Sequence, residues 1–157
     1  MRSSRQQPSK RRARNARARI MLLEDHPIFR SALRAMLEHG GHEIVAESDD
    51  NRMALRLVER SRPNVVMLDL SMPSLDSLVV ARNLRQTSVS VKILLVSAGE
   101  EEADVIEALE ASHADGYLTK HDLPRDLFDA IEALRRGRRY LSYSLRQTSV
   151  SRGGRCF

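Results

Sequence analysis

Val65-Val66-Met67-Leu68-Asp69-Leu70-Ser71-Met72-Pro73 opens on four continuous apolar residues, sets an acid directly after them and turns on a proline. An unbroken apolar run of this length, bounded by turn residues, suits a strand buried on both faces, as in a parallel sheet. The pattern recurs on either side. Ile20-Met21-Leu22-Leu23 runs into Glu24-Asp25, and Ile93-Leu94-Leu95-Val96 runs into Ser97. The weaker run Gly116-Tyr117-Leu118-Thr119 delivers Lys120.

Helical patterns fill the intervals. Phe29, Ala32, Leu33, Met36 and Leu37 repeat at helical spacing, with Pro27 suited to the first turn and Gly40-Gly41 to the end. Glu43-Ile44-Val45-Ala46-Glu47 reads as a further strand, and Ala54, Leu57 and Val58 mark a helix that closes before Pro63. Three more helices carry Leu78, Ala81 and Leu84, then Val105, Ile106 and Leu109, then Leu127, Ile131 and Leu134 with Gly137 as the closing residue. Five strands alternating with five helices predict an α/β fold, a doubly wound five-stranded parallel sheet of (βα)5 form. The second and fifth strands have shorter apolar runs and are more polar, which suits edges. The flavodoxin-like order 2-1-3-4-5 puts both outside and gathers ligands at the carboxyl ends of the strands. Glu24, Asp25, Asp69, Ser97 and Lys120 all fall there.

A pI near 10 and a net charge of +5 suggest a nucleic-acid binder, but the charge is unevenly placed. Residues 1–19 hold eight of the 26 basic residues and no acid, so residues 20–157 carry 18 basic against 21 acidic groups, a net of −3. The basicity belongs to an arm, residues 1–18, expected to be disordered and to contact phosphate backbones only without sequence preference. A single cysteine, Cys156, excludes an intrachain disulfide and a metal-binding cysteine pair. No apolar stretch is long enough for a bilayer, and no apolar segment precedes Ile20 as a secretory signal would. A cytoplasmic setting without membrane contact is the expectation.

After Tyr140-Leu141 the apolar periodicity stops, and residues 142–157 are expected to form a disordered tail with no output domain. Leu84-Arg85-Gln86-Thr87-Ser88-Val89-Ser90 recurs identically there as Leu145-Arg146-Gln147-Thr148-Ser149-Val150-Ser151. A single recurrence does not make a solenoid, and the second copy reads as a duplicated gene end.

Glu24-Asp25-His26-Pro27, Asp69-Leu70-Ser71-Met72-Pro73, Ser97-Ala98 and Gly116-Tyr117-Leu118-Thr119-Lys120 resemble the receiver domain of bacterial two-component response regulators. The likeness spans residues 19–141. Asp25-His26-Pro27-Ile28-Phe29-Arg30 and Gly137-Arg138-Arg139-Tyr140-Leu141 are most similar to the subfamily that usually carries a C-terminal LuxR-type helix-turn-helix. The resemblance implies that Asp69 is the phosphoacceptor in phosphorelay signal transduction. It implies Mg²⁺ held by Glu24, Asp25, Asp69 and the backbone carbonyl of Ser71, with Lys120 and Ser97 on the phosphoryl group. Ser97 and Tyr117 would form the switch, Tyr117 swinging inward. The implied partner is a sensor histidine kinase or a phosphotransfer protein. A homodimer is compatible with the family, and nucleic acid would be reached only through the basic arm or a missing output domain. No catalysis is implied beyond the domain's own phosphoryl transfer and dephosphorylation.

Singly, each of these residues has an ordinary role, since acids after strands are often solvated and serines often cap helices. Their coincidence at four strand ends favours the functional reading. Two other readings remain: a DNA-binding regulator with a truncated helix-turn-helix, and a Mg²⁺-dependent phosphatase working through an aspartyl phosphate. The latter resembles Asp-x-Asp on a first strand, whereas Asp69 lies on the third and Ser71 replaces the second acid. Three places depart from the family pattern: Ser77 where Gly is usual, expected to stiffen or strain the turn, the pair Ser112-His113 in place of a Gly-containing turn, and His121 where proline is common.

Overall fold

The computed structural model describes residues 17–88, 90–99 and 102–151. The strands are β1 (Arg19–Leu23), β2 (Glu43–Ser48), β3 (Val65–Asp69), β4 (Lys92–Ser97), β5 (Gly116–Thr119) and β6 (Tyr140–Leu141). The helices are α1 (Pro27–His39), α2 (Ala54–Ser61), α3 (Ser77–Thr87), α4 (Glu102–Ser112), α5 (Leu123–Arg135) and α6 (Tyr143–Ser151). The strands form a parallel sheet in the order β2-β1-β3-β4-β5-β6. The predicted order 2-1-3-4-5 is present within it.

Alternation along each strand divides the core. Met21, Leu23, Val66, Leu68, Ile93, Leu95 and Tyr117 face α2, α3, α4 and α6. Ile20, Leu22, Val65, Met67, Leu94, Val96 and Leu118 face α1 and α5. Covered on both faces, β3 has every residue buried, which is why its sequence reads as a continuous apolar run. In register, Asp69 pairs with Val96 and Ser97 with Thr119, so the polar residues that end these strands arrive at one rim.

The C-terminal end departs from the sequence expectation twice. First, β5 is interior: β6 pairs beside it, Gly116 opposite Tyr140 and Tyr117 opposite Leu141. Its residues are all buried, whereas those of β2, the edge strand, are half-buried. Second, residues 143–151 form α6 where a disordered tail was predicted from 142. Among the described side chains of this helix, Leu145 anchors it in the core and several polar contacts fasten it. The Asp122 carboxylate accepts from Ser142 Oγ at 2.7 Å, Ser144 Oγ at 2.6 Å and the Ser144 amide at 3.0 Å. Asp126 accepts from the Tyr143 amide at 2.6 Å, and the Arg125 guanidinium lies 3.3 Å from the Tyr143 ring centroid. Such a staple leaves no hydrophobic periodicity to read. Residues 152–157 and the arm residues 1–16 lie outside the described residues. At the other end the domain begins earlier than expected, because Ala18 is fully buried.

Candidate functional site

Burial and pairing at the rim begin with Asp69. Its carboxylate is 2% exposed at the end of β3, where Lys120 Nζ donates to Oδ2 at 2.9 Å. The same ammonium donates to Glu24 Oε2 at 3.0 Å, bridging two buried acids that would otherwise repel each other. Ser71 donates to Asp69 twice over, from its amide at 3.0 Å and from its hydroxyl to each oxygen at 2.8 Å. Burial would raise the Asp69 pKa, but the Ser71 amide, Lys120 and the Ser71 hydroxyl outweigh it and hold the group below its ordinary value. Glu24 goes the other way: burial dominates and raises it, against the His26 amide and Lys120. Burial would lower Lys120, yet its bonds to Asp69 and Glu24 raise it, so the ammonium stays charged.

The backbone around the site is tied as tightly. His26 caps α1, its Nδ1 accepting from the Phe29 amide at 3.4 Å, while its own amide donates to Glu24 Oε1 at 3.0 Å. Phe29 then sits with its ring centroid 4.4 Å from Lys120 Nζ, a cation–π contact on the open side of the site. Arg30 reaches back to the Glu24 carbonyl at 2.5 Å. A cavity of about 440 Å³ opens over these groups, lined by Glu24, Asp25, His26, Phe29, Asp69, Ser71 and Lys120.

Ser97 and Tyr117 form a separate pair. Both are buried, and their hydroxyls are hydrogen-bonded to each other. Ser97 ends the strand next to Asp69, but it does not line the cavity. Tyr117, for which an inward swing was expected, is already fully enclosed in the core that also holds Leu141 and Leu145.

Ser77 stiffens its turn, as expected, but does not strain it. Its φ lies outside the glycine-favouring region, so no strain arises there. Its buried hydroxyl donates to the Asp69 backbone carbonyl at 2.7 Å and accepts from Asn51 Nδ2 at 2.8 Å. Asn51, buried as well, also donates to the Leu75 carbonyl at 3.0 Å. Asn51 and Ser77 thus clamp the β3–α3 loop beneath the Asp69 carboxylate. Sequence reasoning missed Asn51, Phe29 and the Ser71 hydroxyl. The only signal was the Ser-for-Gly replacement at 77. His113, at the other departure, adopts a left-handed backbone (φ 53°) after Ser112, whose hydroxyl bonds the Ala108 carbonyl at 2.6 Å. At Lys120-His121 the backbone, like that of every other described residue, contains no cis peptide bond.

Glu24, Asp25 and Asp69 each offer a carboxylate oxygen within 4.8 Å of the others. Three hard oxygen donors, one of them exposed, beside an open cavity fit Mg²⁺, which takes few protein ligands and keeps waters. No helix among the described residues is long and apolar enough to cross a membrane.

Comparison with known proteins agrees with this geometry. Residues 20–132 match the family model described as the response regulator receiver domain. The chain is 34% identical over 129 residues to the nitrate/nitrite response regulator protein NarP of Escherichia coli K12, covering 82% of this chain and 60% of that protein. It is 34% identical over 130 residues to the probable transcriptional regulatory protein NarL of Mycobacterium tuberculosis H37Rv, with coverage of 82% and 60%. The chain therefore spans about 60% of the length of these curated relatives. Among solved structures, a LuxR-family two-component response regulator from Aurantimonas sp. SI85-9A1 superposes with a TM-score of 0.80 at 36% identity, over 88% of this chain and 99% of that one. The receiver domain of the M. tuberculosis NarL gives 0.70 at 34% identity, over 78% and 98%.

Proposed function

Because this chain belongs to the response regulator receiver domain family, we propose that Asp69 accepts a phosphoryl group from a sensor histidine kinase or a phosphotransfer protein and thereby switches a protein-interaction face. The observation that carries this reading is the Asp69 carboxylate, buried yet ionised, wedged between Lys120 and Ser71 at the floor of an open cavity. An Asp69 oxygen attacks phosphorus, the bond from phosphorus to the donor imidazole or acetate breaks, and the donor leaves with the electron pair. Lys120, a point charge already on Oδ2, follows charge onto the phosphoryl oxygens. The Ser71 hydroxyl and the Asn51–Ser77 clamp hold the nucleophile in place. Glu24, Asp25, Asp69 and the Ser71 carbonyl are the groups that would hold Mg²⁺. Bound there, the ion offsets the negative charge that gathers when a phosphate approaches a carboxylate.

A serine hydroxyl has one proton and two lone pairs. Ser97 can therefore accept from Tyr117 while donating to a phosphoryl oxygen on Asp69, which would favour the inward Tyr117 seen here. That is a population shift driven by a local charge. The reading places the domain in the cytoplasm with its kinase. Incubation with acetyl phosphate and Mg²⁺, followed by intact mass, tests it: one added phosphoryl group supports it, and none in folded protein would overturn it.

A further inference from the structure

The folded domain carries a second, unrelated charge feature at the pole opposite Asp69. Strand β1 begins there, and α5 ends there in Arg135-Arg136-Gly137-Arg138-Arg139, with Gly137 at φ 72° turning the chain toward β6. A shallow cavity of about 380 Å³ at this pole is lined by Arg136, Arg138, Arg139 and Arg146 against only two acids, Asp129 and Glu132. Glu132 is already spent on Arg135 at 3.3 Å and Arg136 at 2.7 Å. Arg138 and Arg139 are exposed and form no ion pair among the described residues.

Arg17 and Ala18, where the described chain begins, lie beside this cluster. The Ala18 amide donates to His42 Nδ1 at 3.2 Å. His42, whose pKa is lowered first by burial, is lowered further by the nearby charge of Arg135. Thus the chain segment holding eight basic residues and no acid in its first nineteen joins the domain next to a five-residue run with four arginines. The sequence's mild net acidity after residue 19 conceals this clustering.

We propose that this pole binds the phosphodiester backbone of duplex nucleic acid, without sequence preference, leaving the phosphorylation rim free. Every cation in the cluster is Arg, whose planar fork matches phosphate oxygens better than a point charge does. The large apolar side chains exposed among the described residues are Ile28, Leu75 and Phe128, and none lines the cavity, whereas membrane-surface binding pairs basic groups with an apolar face.

The test is fluorescence anisotropy of a labelled short duplex of arbitrary sequence with the full chain, titrated from about 50 to 200 mM salt. Wild type is expected to bind at the low end and to lose affinity steeply as salt rises. Arg138→Ala/Arg139→Ala, which removes two exposed charges and leaves the N-terminal arginines in place, is expected to weaken binding by about tenfold or more. The double variant should also flatten the log–log salt slope by roughly 2, about 0.9 for each phosphate that is no longer neutralised. Its labelling by acetyl phosphate should match wild type, which separates a damaged surface from a damaged fold. No binding by wild type at low salt, an unchanged slope in the double variant, or a preference for anionic phospholipid vesicles over the duplex would each overturn the proposal.

Discussion

Replacing Lys120 with Met deletes the charge that bridges Glu24 and Asp69 and lies over the Phe29 ring, while keeping an unbranched side chain of similar length. With nitrogen–oxygen distances of 3.0 and 2.9 Å, each pair has a gross attraction of about 5 kcal/mol at an effective dielectric constant of about 20. Desolvation cancels much of that. Breaking a buried pair by removing one partner still costs about 3–5 kcal/mol, because the other charge stays buried. Here the Lys120 side chain is 22% exposed, so the lower end of that range applies at neutral pH without divalent ions. The variant should also acquire a distinctive pH dependence. Two unbridged carboxylates raise each other's folded pKa above the unfolded value. Their stability is then complete below the unfolded pKa and is lost as pH rises through the folded one. Urea denaturation in EDTA at about pH 5 and pH 7 should therefore show a deficit that grows with pH. Adding Mg²⁺ should return more stability to the variant than to wild type, since Glu24, Asp25 and Asp69 then bind the ion without a competing ammonium. Mg²⁺ at a hundredfold excess over its dissociation constant corresponds to about 2.7 kcal/mol. A variant with the wild-type midpoint in EDTA, or one that Mg²⁺ stabilises less than wild type, would refute the reasoning.

Other substitutions probe the rest of the site and the C-terminal staple. Ser77→Ala leaves the Asn51 amide and the Asp69 carbonyl each short of a buried partner, and should cost about 1–3 kcal/mol in urea denaturation. A stabilised variant would restore the idea that Ser77 strains its turn. Asp122→Ala should release β6 and α6, seen as faster hydrogen exchange at Ser142–Leu145, with a loss of about 2–3 kcal/mol for a carboxylate with several bonds. Burial opposes ionisation of Asp122, but Ser144 and Ser142 bring its pKa down to about 2, so the staple is complete above about pH 4 and fails as pH falls toward 2. Exchange at these amides that stays flat across that window would contradict the assignment. Ser97→Ala should still be labelled by acetyl phosphate, but the labelling-induced change in hydrogen exchange along β5 should shrink severalfold because the Tyr117 hydroxyl loses this partner.

What could be read from the sequence was whatever burial writes into hydrophobic order. β1, β3 and β4 are covered on both faces, so their runs were continuous, and the acids and Ser97 that end them marked the rim. What escaped was held by hydrogen bonds. Among the described side chains, α6 hangs on Asp122, Asp126 and Leu145, and its sequence offered no stripe to detect. The repeated heptapeptide makes the same point. Its first copy leaves the helix after Thr87, with Ser88 extended, while the second remains helical to Ser151. Identical residues follow different paths because their surroundings differ, although Leu84 and Leu145 are buried in the same core. At the site, residue types at strand ends gave Glu24, Asp25, Asp69 and Lys120. The Asn51–Ser77 clamp joins residues 26 positions apart through side-chain bonds, a contact no local pattern encodes. The edge position expected for β5 failed for a related reason: two residues of β6 suffice to cover a short strand.

After incubation with acetyl phosphate and Mg²⁺, borohydride reduction converts a phosphorylated aspartate to homoserine, and peptide fragmentation locates it. Homoserine is expected at position 69 alone, with none recovered from an Asp69→Asn protein. Homoserine at Asp25, or labelling that persists in Asp69→Asn, would contradict the Asp69 assignment.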